Sequence, residues 1–283
     1  MNVEDLRRGF AEVIGATAGV SSRALIDAFA HVPRERFLGP GPWKIAQVHE
    51  PGAPYRDTPD ARLEHIHGDV AVAIDPARLL NNGQPSALAR FIDAAAPGPG
   101  DSVLHVGCGV GYYTAILADI VGPTGRVVGC DIDPDLVARA RENLAPWPQA
   151  QVEVGDGSEP RGPHDAIFVN AGVTHARPEW ITALAEGGRL VLPLTVHMPQ
   201  FPYPNHGIGA VIAAERRGTP WPARVVSPVG IYDCAGARDE AAEAQLRTLM
   251  VPGAAARLRA LSIDPHPRGD ACLFHLDGFC LQS

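Results

Sequence analysis

From residue 102 onward the chain alternates short apolar runs with longer amphipathic ones. The runs at 102–106, 126–130, 151–154, 166–169 and 189–194 have strand length, and 112–121, 135–144 and 179–185 between them carry helical spacing. Strands alternating with helices predict βαβ units and an α/β fold, a doubly wound, Rossmann-like parallel sheet with helices on both faces. Upstream, 4–14 and 21–31 predict two short helices, the second capped by Ser21 or Ser22, and 85–96 a third with Pro85 in its first turn. Residues 38–65 mix Gly, Pro, charge and His without a period, which predicts a long loop or lid, and 70–74 a short extended piece. Downstream, 195–206 predicts a Pro-rich loop, 208–214 and 223–231 two strands, 239–260 a helix broken at Pro252–Gly253, and 271–281 a last strand. Three parts are expected: helices and lid (1–84), the Rossmann-like core (85–232) and a C-terminal strand and helix extension (233–283).

Composition narrows the function. Among 283 residues, 24 Lys and Arg against 32 Asp and Glu leave a net charge of −8. An acidic chain lacks the broad positive footprint that phosphate backbones require, so no nucleic-acid partner is expected. No run of about 18 apolar residues occurs, so no membrane-spanning helix is expected. The N-terminal stretch has charges and no apolar h-region, unlike a signal peptide. Five cysteines, an odd number with no C-x-x-C pair, suggest neither a disulfide framework nor a zinc knuckle and fit a cytoplasmic protein.

The strongest chemical signal is the segment SVLHVGCGVGYYTAILADIVGPTGRVVGCDID. A strand ends in Gly107, Gly109 and Gly111, a helix follows at once from Tyr112, and a second strand ends in Asp131. Doubly wound folds bind ligands at the carboxyl ends of their strands, where glycines admit a close approach and an acid accepts hydrogen bonds from ribose hydroxyls. A dinucleotide fingerprint needs G-x-G-x-x-G, and counting from Gly107 or Gly109 puts Tyr112 or Thr114 at the third glycine. The tighter G-x-G-x-G instead points to S-adenosylmethionine. Gly155-Asp156-Gly157, closing the third strand, agrees, with Asp156 placed for the adenine amino group.

HVPRERFLGP (31–40), the glycine strand, CDIDPDLVARARENL (130–144), VEVGDGSE (152–159), HDAIFVNAG (164–172) and LAEGGRLVLPL (184–194) together resemble the protein-L-isoaspartate O-methyltransferases. The resemblance spans roughly 20–195. It implies methyl transfer from S-adenosylmethionine to a carboxylate of a damaged aspartyl residue. It also implies cofactor contacts from His105, Gly107, Gly109, Gly111, Tyr112, Asp131, Ile132, Asp156, Gly157 and Asn170.

Departures from that family fall on the acceptor side. Its T-I-S-x-P turn is Asn81-Asn82-Gly83-Gln84-Pro85 here, so the serine hydroxyl is absent, and 43 residues separate Phe37 from Asn81. Weak repair of isoaspartyl peptides is therefore expected, along with a substrate-determining lid over 38–80 to which Trp43, Tyr55 and His65 contribute aromatic walls. Asn81, Asn82 and Gln84 are candidates to orient the acceptor, since amides donate hydrogen bonds but cannot act as bases. His175, and after it His197, are the candidate bases should the acceptor need one. His65 and His67 alone make no metal set, and no metal ligand is assigned. Arg34 in VPRERF is expected in a structural ion pair. Three functions remain open: a carboxyl O-methyltransferase acting on a peptide, a small-molecule O- or N-methyltransferase, and an S-adenosylmethionine-binding protein without transferase activity.

Overall fold

The computed structural model describes residues 2–46, 55–198, 205–250 and 253–283. Its first elements are helices α1 (Val3–Ala18) and α2 (Arg23–His31), capped by the Asn2 and Ser22 side chains. A hairpin of β1 (Lys44–Ala46) and β2 (Tyr55–Asp57) follows, then a second small pair, β3 (Ala73–Asp75) and β4 (Leu80–Asn81). Helix α3 (Pro85–Ala95) leads into the alternating region: β5 (Ser102–Val106), α4 (Tyr112–Val121), β6 (Arg126–Asp131), α5 (Pro134–Asn143), β7 (Ala150–Val154), β8 (His164–Val169), α6 (Pro178–Ala183) and β9 (Leu184–Val196). The chain ends with β10 (His206–Glu215), β11 (Trp221–Tyr232), α7 (Glu240–Arg247), β12 (Ala260–Ser262), β13 (Cys272–Leu276) and β14 (Phe279–Gln282).

Ten of these strands form one sheet in the order β13-β14-β12-β11-β10-β9-β8-β5-β6-β7. The stretch β9-β8-β5-β6-β7 is parallel and the remainder antiparallel. The chain winds outward from β5 to β6 and β7, then restarts on the other side of β5 with β8. That reversal opens a crevice at the carboxyl ends of β5 and β8, where such folds bind ligands.

One core layer joins Phe10, Ile14 and Phe29 of the first two helices to Phe91 and Ile116 against the sheet. The opposite layer gathers Leu104, Ile167, Trp180 and Leu192 with Leu246, Phe274 and Leu281. The first layer crosses the expected boundary at 84 and the second the one at 232, because the N-terminal segment covers one apolar face of the sheet and the C-terminal segment the other.

The segment expected to be a structureless lid packs a small core of its own. Leu38, Trp43, Ile45, Ile66 and Val72 form a separate buried cluster. Trp43 is buried, with its indole N–H on the Gly39 carbonyl at 3.0 Å, so it supplies interior rather than an aromatic wall. His65 turns to Asp60 at 2.7 Å. Arg34 is fully buried, and its guanidinium donates to the carbonyls of Ile66, Gly68 and Val70, not to an acid. Those carbonyls, with the faces of Phe10 and Tyr112, replace the expected ion-pair partner and tie 66–70 to the helical layer.

The C-terminal reading also changes. The expected long helix is reduced to α7, followed by β12, and the expected last strand is a hairpin. Asp277-Gly278 makes its turn, with Gly278 at φ +74°, the two-residue signal for reversing a chain.

Candidate active site

The glycine turn after β5 is shaped by steric need. Gly107 has φ +78°, and a Cβ there would lie 3.1 Å from the Asn170 carbonyl oxygen. Gly111 has φ +91° and abuts Leu144, where α4 meets α5. At Gly109 and Gly155 a Cβ would meet nothing within 4 Å, so these two residues leave open space beside the backbone. The amides of Gly107 and Cys108 donate to the Cys130 carbonyl, which ties the turn to β6.

Asp131 ends β6 under this turn. The Gly109 N–H donates to its Oδ2 at 2.9 Å, and the Asp133 N–H to its Oδ1 at 3.1 Å. Burial raises its pKa, and the two amides oppose that shift. Each oxygen keeps a lone pair for a further donor. Asp133 caps α5 and pairs with Arg78 at 2.6 Å, which pins the β3–β4 strap to the end of β6.

A cavity of about 510 Å³ opens here. Gly107, Gly109, Tyr112, Asp131, Ile132, Asp156 and Asn170 border it from the sheet side. Asn81, Asn82, Gly83 and Gln84 border it from the strap, and Gly230 to Ala235 with His206 from the third side. Ile132 is 55% exposed, an apolar side chain held at the mouth. Asp156 accepts from the Ser158 N–H and, at 3.0 Å, from Arg177, and these bonds hold it ionised. The turn of Asn81 to Gln84 is built from its own amides: Asn81 Oδ1 accepts from the Gly83 N–H at 2.8 Å, and Asn81 Nδ2 donates to the Tyr55 hydroxyl at 3.3 Å.

Other expected site residues lie elsewhere or do other work. His105 does not border the cavity. It is fully buried in β5, stacked on Phe168 with Nδ1 on Thr114 Oγ1 at 2.9 Å, and burial pushes its pKa down to about 3. Gly157 is also outside, because its φ of +76° turns the chain against Trp180, whose indole donates to its carbonyl. Gly111 serves the packing of α4 on α5. His175 faces Thr174 and the segment before α7, away from the cavity. His197 is engaged by Asp233 at 2.7 Å and by Glu243 at 3.2 Å. Asn82 borders the cavity, but its Oδ1 is spent on the Val72 N–H and Arg34, which makes it a positioning residue for the strap.

The capping of α3 was not legible either. Its N-terminus is held by Asp69, which takes the Ser86 N–H and hydroxyl and the Gln84 amide. Asp69 lies 17 positions before Ser86, beyond any local capping pattern. The cavity wall at 230–235 was missed because it is a strand end laid along the segment after β8, where the Gly172 N–H donates to the Tyr232 carbonyl and the Cys234 N–H to the Gly172 carbonyl.

Comparison with known proteins decides the family. Residues 14–202 match the family described as protein-L-isoaspartate(D-aspartate) O-methyltransferase. The chain belongs to the protein-L-isoaspartate O-methyltransferase family. It is thereby one of the S-adenosylmethionine-dependent methyltransferases. A protein-L-isoaspartate O-methyltransferase of Aeropyrum pernix is 34% identical over 198 residues, 68% of this chain and 65% of that one. One from Ignicoccus hospitalis is 30% identical over 197 residues, 68% of this chain and 83% of that one. A solved protein-L-isoaspartate O-methyltransferase superposes with a TM-score of 0.65 at 19% identity, over 98% of this chain and 87% of that chain. A Plasmodium falciparum structure, a complex with S-adenosyl-L-homocysteine, gives 0.56 at 16% identity over 81% and 97%. At those identities the two structures speak for the shared fold. No helix among the described residues is long and apolar enough to cross a membrane.

Proposed function

We propose that this member of the family transfers the methyl group of S-adenosylmethionine to the carboxylate of an isoaspartyl residue in a peptide. One observation carries the reading: Asp131 with its glycine turn and the Asn81–Gln84 turn border the same cavity. The residues fit the donor, since Asp131 keeps free lone pairs for two ribose hydroxyls and Gly109 and Gly155 leave room for a ligand against the backbone. Bound there, S-adenosylmethionine supplies a methyl carbon already activated by its sulfonium.

The protein's work is then alignment and exclusion of water. Asn81 and Gln84 each use one amide hydrogen internally and keep a second to orient an acceptor carboxylate. A carboxylate is ionised near neutral pH and attacks without a base. That matches the placement of His175 and His197 outside the cavity. Membership of the family favours the isoaspartyl acceptor over a small molecule or a non-catalytic binder. Family membership likewise favours repair over the weak repair expected from the missing hydroxyl. Gly83 has φ +76°, and a Cβ there would lie 2.7 Å from Leu88 Cδ2, so the turn is rebuilt around glycine rather than merely lacking a hydroxyl.

The lid reading is kept in altered form. Residues 38–46 and 55–82 pack as a platform, and the Tyr55 contact to Asn81 links it to acceptor choice. The test is tritium transfer from methyl-labelled S-adenosylmethionine to an isoaspartyl peptide, with His206→Gln as a second arm because His206 borders the cavity. Label that leaves in mild alkali, and a variant within about threefold of the parent, support the reading. A loss of 10²–10⁴-fold in the variant would mark His206 as a general base and the acceptor as an alcohol or amine.

A further inference from the structure

The C-terminal hairpin carries a second cluster of chemistry, remote from the cavity. His266, Cys272, His275 and Cys280 bring one ligand atom each to within 4.8 Å of one another. The arrangement follows from the register of β13 on β14. His275 lies directly opposite Cys280, so their side chains share a face. In a regular strand Cys272, three positions before His275, would point to the other face. The register shifts between Cys272 and Phe274, and this bulge returns Cys272 to the face of His275. Phe274, Phe279 and Leu281 occupy the opposite face, in the second core layer. The loop from β12, with Pro265 and Pro267 flanking it, lays His266 over the cluster.

The surroundings are those of a ligand shell. His266 Nδ1 faces the Asp264 carbonyl at 2.8 Å; a carbonyl only accepts, so a proton sits on Nδ1 and Nε2 is the nitrogen turned to the cluster as acceptor or ligand. Metal-bound histidines are commonly fixed in this way. That Nε2 lies 3.6 Å from Cys272 Sγ, and the Gln282 amide approaches it at 3.3 Å. The Gly269 N–H donates to Cys272 Sγ at 3.3 Å, a bond that favours the thiolate. His275 Nδ1 is buried without a hydrogen-bond partner, and Cys280 is fully buried. The two imidazoles meet edge to face, with centroids 4.9 Å apart.

We propose that His266, Cys272, His275 and Cys280 bind a structural zinc ion in a closed tetrahedral site. With Zn–S of about 2.3 Å and Zn–N of about 2.0–2.1 Å, the edges of such a tetrahedron are about 3.3–3.8 Å. The 3.6 Å contact already has that length, and the widest pair must close by at most about 1.0–1.5 Å. Two sulfurs and two imidazoles select zinc over calcium or magnesium, which take oxygen ligands. Four protein ligands leave no open position, so the ion holds the loop after β12 to the terminal hairpin and takes no part in methyl transfer. The sequence hid the set because the spacing H-x5-C-x2-H-x4-C is irregular until the bulge brings it into register.

The test uses the full chain, purified under reducing conditions from zinc-supplemented culture. Elemental analysis should find one zinc per chain, with X-ray absorption showing two sulfur and two nitrogen neighbours. Cys272→Ser and Cys280→Ser should each lose the metal, while Cys130→Ser, remote from the hairpin, keeps it. Should the cysteine variants fail to fold, His266→Ala in the loop should weaken zinc at least tenfold in competition with a chromophoric chelator. The proposal is overturned if the folded parent neither carries nor takes up zinc, if His266→Ala binds it unchanged, or if peptide mapping finds a Cys272–Cys280 disulfide instead.

Discussion

Asp131→Asn should weaken S-adenosylmethionine binding sharply while changing stability little. Both carboxylate oxygens already accept backbone hydrogen bonds, from Gly109 and Asp133, and their remaining lone pairs face the cavity. The amide preserves the shape but keeps only one oxygen and no charge. A hydrogen bond to a charged group contributes roughly 1.5–3 kcal/mol, so the lost ribose contact should raise Kd about ten- to a hundredfold. Stability is pulled both ways. One backbone N–H now faces an NH2 group, which costs about 1–3 kcal/mol. Against this, burial raises the Asp131 pKa, so its charge is itself a cost to the folded protein that the amide removes. Titration calorimetry and a thermal melt measure the two effects. A folded variant whose Kd moves less than about threefold would refute the ribose assignment.

Three further outcomes follow from the geometry. Tyr55→Phe removes the long contact to Asn81 and should lower kcat/KM for the acceptor about two- to tenfold, from roughly 0.5–1.5 kcal/mol, with S-adenosylmethionine affinity unchanged; an unchanged kcat/KM separates the platform from acceptor choice. Gly83→Ser should destabilise by about 1–3 kcal/mol in urea titrations and should not raise turnover, because of φ +76° and the crowding at Leu88; a faster enzyme would show that the missing hydroxyl matters. His105 has a folded pKa near 3, below its unfolded value, so the unfolded chain binds the extra proton as pH falls below about 6.5. Its contribution is complete above that pH and declines toward pH 3, with about 2 kcal/mol gone by pH 5. His164, pushed down to about 4 by burial, acts with the same sign. Urea titrations of the parent and His105→Gln at pH 7 and 5 should show a shallower loss in the variant, and equal losses would contradict the assignment.

Local pattern carried the parallel half of the sheet. Strands β5 to β8 and helices α3 to α5 sit within a few residues of their apolar runs, because each element buries a face set by its own period. Asp131 and the glycines were legible for the same reason: turn, helix start and acid are consecutive in one βαβ unit. What failed depends on contacts distant in sequence. Arg34 finds its partners 32 to 36 positions on, Asp69 caps a helix from 17 positions away, and the wall at 230–235 lies along the segment after β8. His105 was misassigned because alternation in β5 places it on a buried face, and a polar residue near a motif reads as functional until its side is known. The Asp-Gly turn of the terminal hairpin was a local signal that the reading passed over. Residues 47–54, 199–204 and 251–252, which hold most of the expected Pro-rich loop and the expected break at Pro252, lie outside the described residues.

The most direct measurement pairs an isoaspartyl peptide with its aspartyl twin, each incubated with the purified chain and S-adenosylmethionine and read by tandem mass spectrometry. The account predicts a gain of one methyl on the isoaspartyl carboxylate, reversed by mild alkali, with the aspartyl twin unmodified and the rate lowered by Asp131→Asn. Protein that binds S-adenosylmethionine yet methylates neither peptide, or that leaves an alkali-stable methyl group on either, would contradict it.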